Sequence, residues 1–196
     1  ICYVTTVMYK HKKLPLFSLL ILSTILLTSW TFLSPWKEYI SYEGKFKILA
    51  PGEMTTKVNV IETAIGNLNY HTFLHQPEDQ RADNLVYMVS FCDYPDHTIH
   101  SDSTELLEDF FSTTIESAVS SVSGELRYSS AINLGQYPGR LWRIDYRGGA
   151  ALIKTKAFLI GKRYYSIQTI TLKGRSLNKS SDRFLDSFYL LDEEKR

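Results

Sequence analysis

The chain has 196 residues with 22 Lys and Arg, 21 Asp and Glu and a formal net charge of +1, which argues against broad nucleic-acid binding. Its two cysteines fall at 2 and 92, on either side of a long apolar run, so no disulfide is expected within the domain and the apolar core must hold the fold unaided. Three of the 22 basic residues precede that run, which leaves 19 beyond it against all 21 acidic residues, a formal −2.

The run occupies 14–33 and carries no charge. Lys10, His11, Lys12 and Lys13 stand directly before it. At 1.5 Å per residue this is about one bilayer crossing of helix. A signal-peptide apolar region is usually shorter, and the expected small-residue cleavage site is missing: Ser29-Trp30-Thr31 is a poor substitute. Trp30 and Trp36 flank its end, where interfacial aromatics sit. The pattern predicts a membrane anchor, with a cleaved signal peptide as the alternative. Because flanking Lys and Arg stay on the cytoplasmic side, the remainder is expected outside the cytoplasm, in the periplasm or at the cell surface, or secreted if the segment is cleaved. Met8 opens the basic stretch and is the expected start residue. The expected organisation is a leader over 1–13, the anchor or signal over 14–33, a linker over 34–41, one domain over 42–191 and a charged tail over 192–196.

Within the domain, 46–50 reads as a strand stopped by Pro51-Gly52. Two β-rich runs, 57–63 and 68–74, meet at Gly66-Asn67 as a hairpin. Residues 84–92 are apolar on both faces, as in a central covered strand. Cys92 lies in this run and is expected to be a buried, inert thiol. Leu107, Phe111, Ile115, Ala118 and Val122 recur at helical spacing and predict a helix over 103–123. Asp102 is the expected cap, with Glu105 completing a capping box and Gly124 as the stop. Four runs follow, 126–134, 140–147, 150–160 and 163–172. Their breaks at 135–139, 148–149 and 161–162 are short and contain Gly, so antiparallel hairpins are expected. A short helix over 181–187 presents Phe184, Leu185 and Phe188 to the core, and Leu190 and Leu191 add an edge. The expected fold class is α+β: a mostly antiparallel sheet packed with one long and one short helix in a layered sandwich.

The order of these elements and several short motifs resemble the PsbP-like fold. The matching stretches are Phe46-Lys47-Ile48-Leu49-Ala50-Pro51, Ser90-Phe91-Cys92-Asp93-Tyr94-Pro95, Tyr137-Pro138-Gly139-Arg140, Leu159-Ile160-Gly161-Lys162-Arg163-Tyr164-Tyr165 and Arg183-Phe184-Leu185-Asp186-Ser187-Phe188. This is the fold of the photosystem II extrinsic subunit, of a Ran-binding nuclear import factor and of bacterial envelope proteins of the DcrB type. Small bacterial secreted or membrane-anchored members are the most similar. The resemblance spans 42–191 and implies an α+β sandwich in an extracytoplasmic setting. It implies no catalytic residues, and photosystem association is not carried over, because the matching motifs are turns and core positions.

Three groups of residues are candidates for a site. The first is the hairpin at Gly148-Gly149. Alternation puts Trp142, Ile144, Tyr146, Ile153 and Thr155 on one face and Arg143, Asp145, Arg147, Lys154 and Lys156 on the other, where the next strand adds Tyr165. A two-residue turn sets Arg143 opposite Lys154, an unfavourable like-charge pair that Asp145 offsets in part. Such a face suits an anionic partner or an acidic envelope protein; the alternative is a solubilising sheet surface. The second group is Asp93, Asp96, His97 and His100, with Asp102 beside them. These are divalent-metal ligand types, but their spacing matches no zinc or calcium loop, and Asp93-Tyr94-Pro95 reads as a turn. The third is His71 and His75, which share a strand face about 13 Å apart, too far to chelate one ion, and read as rim histidines.

No G-x-S-x-G elbow, H-E-x-x-H, P-loop or dinucleotide glycine fingerprint occurs. The sequence therefore predicts a non-catalytic, membrane-tethered interaction or accessory module of the envelope, with no cofactor. Its expected contacts are the membrane through 14–33 and an envelope protein or anionic partner, not nucleic acid. The alternative is a small-ligand or metal-binding protein using the 93–102 loop.

Overall fold

The computed structural model describes residues 36–63 and 65–191. The predicted span over 14–33, the leader over 1–13 and the tail over 192–196 lie outside the described residues. Among those described, no helix is long and apolar enough to cross a membrane.

Ten strands and two main helices follow in chain order: β1 (Lys37–Ser41), β2 (Phe46–Ala50), β3 (Thr55–Thr63), β4 (Gly66–His75), β5 (Val86–Asp93), α1 (Thr104–Ser121), β6 (Glu125–Leu134), β7 (Tyr137–Tyr146), β8 (Ala151–Ile160), β9 (Arg163–Leu172), α2 (Lys179–Asp186) and β10 (Tyr189–Leu190). Seven strands form one sheet in the order β3-β4-β5-β9-β8-β7-β6, and β1-β2-β10 form a second. Every strand pair is antiparallel. The expected α+β layering is present, and β5 is the interior strand its two-faced apolarity predicts. Lys37–Ser41, inside the stretch read as a linker, is strand β1. Tyr39 within it packs on Phe46 and Phe73, so aromatic contacts draw this segment onto the domain.

Period-two alternation sends the two faces of the large sheet to different cores. Phe73, Tyr87, Val89, Phe91, Tyr165 and Ile167 meet Phe46 and Ile48 of the small sheet and Phe184, Leu185 and Phe188 around α2. On the opposite face, Cys92, Trp142, Ile144, Ile153, Leu159 and Tyr164 meet Phe111 and Ile115 of α1. The result is three layers, with the large sheet in the middle.

Two turn assignments differ from expectation. Tyr137-Pro138-Gly139 is not a turn: the β6–β7 loop is Gly135-Gln136, with Gly135 in the left-handed region at φ 57°. Pro138 and Gly139 lie within β7, opposite Asn133 and Ile132. Gly139 is there for space, because a Cβ would stand 2.4 Å from the Ala157 carbonyl oxygen and from the Phe158 ring. At the other site, α1 begins one residue later than read, with Ser103 as its first flanking residue and no side-chain cap. Asp102 instead pairs with His100 at 3.2 Å. The helix ends through Ser123 at φ 47°, while the Gly124 N–H donates to the Val119 carbonyl at 3.0 Å. Gly124 is needed for closeness: a Cβ there would lie 2.4 Å from Ile144.

Candidate functional site

The hairpin register agrees with the sequence reading: Arg143 stands opposite Lys154 and Trp142 opposite Thr155. The loop is four residues, 147–150, with Arg147, Gly148 and Gly149 all at positive φ. The like-charge conflict is relieved by acids. Arg143 Nε donates to Asp145 Oδ1 at 2.7 Å, Lys154 Nζ to Asp182 at 2.6 Å, and Lys156 to Asp186. Asp182 and Asp186 are four apart on α2 and so share one helix face. The lysines thus dock α2 onto the sheet, and the face is not a free basic surface. Tyr165 is 2 % exposed, and its hydroxyl donates to the Gly44 carbonyl at 2.7 Å. It belongs to the core between the sheets, because β9 at that point is covered by the β1–β2 turn. Arg147 alone of the five is exposed without an ion pair among the described residues.

The 93–102 loop uses its carboxylates on neighbouring cations. Arg163 grips Asp93 through both oxygens at 2.6 Å and donates to the Glu43 carbonyl at 2.9 Å. Its guanidinium lies 4.5 Å from the Phe91 ring centroid, and the His71 ring stacks on the same phenyl at 4.4 Å. Asp96 pairs with Lys162 at 2.7 Å, and His97 stands exposed at φ 67°. Among the described residues no three His, Cys, Asp or Glu side chains gather as a metal site. His71 lies 3.4 Å from Glu43, whereas His75 Nδ1 meets the Glu53 carbonyl at 2.9 Å. The two histidines serve different contacts, and His71, stacked on the core residue Phe91 with its side chain 14 % exposed, is not the rim residue expected.

The hydrogen bonds from Arg163 hold the Asp93 carboxyl below the ordinary carboxylate range, against the opposing effect of partial burial. A lowered folded value means the ion pair stabilises the domain above the unfolded value of about 3.9 and ceases to do so as pH falls through the lower folded value. Asp93→Asn is therefore expected to lower the urea midpoint at neutral pH. The gap between variant and parent should narrow as pH falls from about 5. A gap independent of pH would show that the charge contributes nothing.

Two features escaped the sequence reading. One is the edge strand β3, exposed at all nine residues, with Val58 at 51 %, Val60 at 63 % and Ile61 at 44 %. Its outer edge has no neighbouring strand among the described residues. The opposite edge, β6, is interrupted by a bulge between Leu126 and Tyr128 and carries the Arg127–Glu125 pair. Such devices blunt an edge; β3 has no bulge in its pairing with β4 and carries charge only at Lys57 and Glu62. Val58 and Val60 share one face and Ile61 the other, a pattern that does not by itself separate an exposed edge from a covered strand.

The other feature is a cleft of about 780 Å³ on the α1 face, between that helix and the β3–β4 hairpin. Its floor includes Cys92, Tyr164 and Trp142, and Tyr70 and Tyr94 stand beside them. Burial pushes the Cys92 thiol up to about 12, with the Asp93 charge adding to the effect. Burial likewise raises Tyr70 and Tyr164, and takes Tyr94 to about 12. All four groups are neutral at physiological pH, and Cys92 is no nucleophile. Among the described residues no Ser, Thr or Cys side chain hydrogen-bonds a histidine.

No protein-family profile matches the sequence, and no curated protein does. Among solved structures, the solution structure of cyanobacterial PsbP (CyanoP) from Synechocystis sp. PCC 6803 is similar at a TM-score of 0.52 and 10 % identity, over 83 % of this chain and 95 % of that one. At that identity the likeness speaks for the fold alone, and the domain has the PsbP-like α+β fold.

Proposed function

We propose that the chain is a non-catalytic accessory module of the cell envelope, tethered through residues 14–33 with its domain on the extracytoplasmic side, and that it docks a partner protein along β3. The observation carrying the docking role is the nine-residue edge, free of bulges, with exposed Val58, Val60 and Ile61. An extended strand of a partner adds to such an edge through main-chain hydrogen bonds, with alternate side chains setting specificity. The tether and the orientation rest on the basic cluster ahead of an uncharged stretch. The ordered acidic groups of the 93–102 loop are engaged by Arg163 and Lys162, which favours docking over the metal-binding alternative.

Crosslinking and pull-down of the tagged full chain from its native membrane tests the reading. Placing charge on the edge with Val58→Lys and Val60→Lys is expected to abolish the captured partner. A second reading, favoured by the exposed Arg147, puts an acidic partner on the loop at 147–150. Loss of the partner only in Arg143→Gln with Arg147→Gln would move the docking surface there. Retention in both variants would overturn both surfaces. A reporter fused after Arg196 that is active only in the cytoplasm would overturn the orientation.

A further inference from the structure

One end of the large sheet gathers cations and bare apolar surface. It is the end where the β7–β8 loop turns and where β9 leads towards α2. The Lys173 N–H donates to the Ala150 carbonyl at 2.9 Å, and a Cβ on Gly149 would stand 4.0 Å from Lys173 Nζ. The two segments 146–150 and 172–181 therefore lie together. They contain Arg147, Lys173, Arg175 and Lys179 and no Asp or Glu. Arg175 is engaged by the Gln80 and Ala82 carbonyls at 2.8 and 2.6 Å. Arg147, Lys173 and Lys179 are exposed and have no ion pair among the described residues. The acids of the neighbouring β4–β5 loop have other partners: Asp79 pairs with Arg81 at 3.3 Å, and Asp83 accepts from the Ser180 hydroxyl. Among the cations stands Leu177, 100 % exposed, and Leu172 is 37 % exposed. An exposed leucine alone is ordinary. A fully exposed one flanked by long cationic side chains, with no carboxylate in its segment, has the chemistry of an interfacial contact.

The chain enters the domain at this same end. The Trp36 ring meets Tyr87 edge-on at 5.8 Å, and Tyr87 lies opposite Thr169 of β9. Leu172 is three residues further along that strand, about 10 Å. The Arg183 guanidinium lies 4.7 Å from the Trp36 ring centroid, and Lys179 is one helical turn earlier on α2. Only Ser34 and Pro35 separate Trp36 from the uncharged stretch, a reach of at most about 11 Å.

We propose that this end of the domain lies against an anionic lipid surface, with Leu177 at the boundary between headgroups and acyl chains and Arg147, Lys173 and Lys179 among the phosphates. The inference rests on the tether reading. The position of Trp36 favours a bilayer over an acidic protein, as does a lone apolar tip that needs no shaped partner. Each Lys or Arg held near an anionic bilayer strengthens binding about fivefold. The β3 edge starts at this end and runs away from it, so lipid contact leaves the edge open to a partner.

The test uses the full chain reconstituted into vesicles of phosphatidylcholine with phosphatidylglycerol. The vesicles carry a phospholipid with a diazirine close to its headgroup, and adducts are mapped by mass spectrometry. Adducts are expected at 14–33 and at 172–179, the latter falling about fivefold in phosphatidylcholine alone. Arg147→Gln, Lys173→Gln and Lys179→Gln together are expected to lower labelling of 172–179 by roughly tenfold or more, with the thermal melt unchanged because all three side chains are exposed. Leu177→Ser is expected to lower adducts on 147–150 as well as on its own segment. Adducts at 14–33 with 172–179 unlabelled would overturn the proposal and leave the tether standing. Adducts at 172–179 without any at 14–33 would keep the lipid contact and overturn the tether; absence of both would overturn both. Equal labelling without phosphatidylglycerol, or labelling indifferent to the variants, would also overturn the proposal. Capture of a protein that Arg147→Gln releases, with 172–179 unlabelled, would assign this end to an acidic partner instead.

Discussion

Phe46→Ala is expected to destabilise the domain by about 3–5 kcal/mol, the range for an aromatic side chain deleted from a close-packed core. For a domain of this size that lowers Tm by about 6–20 °C. Phe46 is fully buried, and its ring touches four others: Tyr39 of β1, Phe73 of β4, Tyr165 of β9 and Phe188 after α2. It therefore joins the small sheet to the large one and to the C-terminal helix segment. Gly44 exists partly for it, since a Cβ there would stand 2.6 Å from the ring. Urea unfolding followed by both tryptophan fluorescence and far-UV circular dichroism is the measurement. One transition at a lower midpoint in both probes is expected, because the two sheets share this core. A separate early transition would mean that β1, β2 and β10 fold apart from the large sheet. A loss below about 1 kcal/mol would mean that the cavity collapses without cost or that the ring is not buried as described.

Asn84→Ala is expected to cost about 2–4 kcal/mol, although only a small side chain is removed. Asn84 is 1 % exposed and sits at the centre of a polar knot. Its Oδ1 accepts from Thr171 Oγ1, from Ser181 Oγ at 2.8 Å and from Asn178 Nδ2 at 3.2 Å. Its own Nδ2 donates to Asn178 Oδ1, the same atom that caps α2 by accepting from the Ser181 N–H at 2.7 Å. Truncation leaves several buried groups without partners and loosens the start of α2. Thermal melts of Asn84→Ala, Asn178→Ala and the double variant form a cycle. The double variant is expected to lose less than the two single losses added, because both act on one network. Strict additivity would show that the two asparagines work independently.

The strands from β6 to β9 were legible because β-rich runs are separated by short breaks that contain a glycine, although the start of β7 at Tyr137 was read as part of a turn. The break at Gly161-Lys162 is two residues, so the observed pair Ile160–Arg163 follows, whereas reading 135–139 as the loop missed the pair Leu134–Tyr137. The short terminal helix was legible from Phe184 and Leu185, both buried. The basic hairpin was legible only in part. Its alternation placed Arg143, Lys154 and Lys156 on one face, yet nothing local says that Asp182 and Asp186, 28 and 30 residues beyond their partner lysines, would lie against them. The Asp93–Arg163 clamp, 70 residues apart in sequence, is of the same kind.

What this chain determines by itself is what depends on near neighbours: strand and helix type through side-chain period, hairpin register through turn length, the buried character of Cys92, and the uncharged stretch behind a basic cluster. What only the tertiary structure decided is adjacency between distant segments. It set β3 at an edge rather than inside the sheet, turned a predicted basic surface into the seat of α2, and opened a cleft between α1 and the β3–β4 hairpin. The physical reason is that charge pairing, edge exposure and cavity volume are properties of surfaces brought together by folding, and no local period encodes which surfaces will meet.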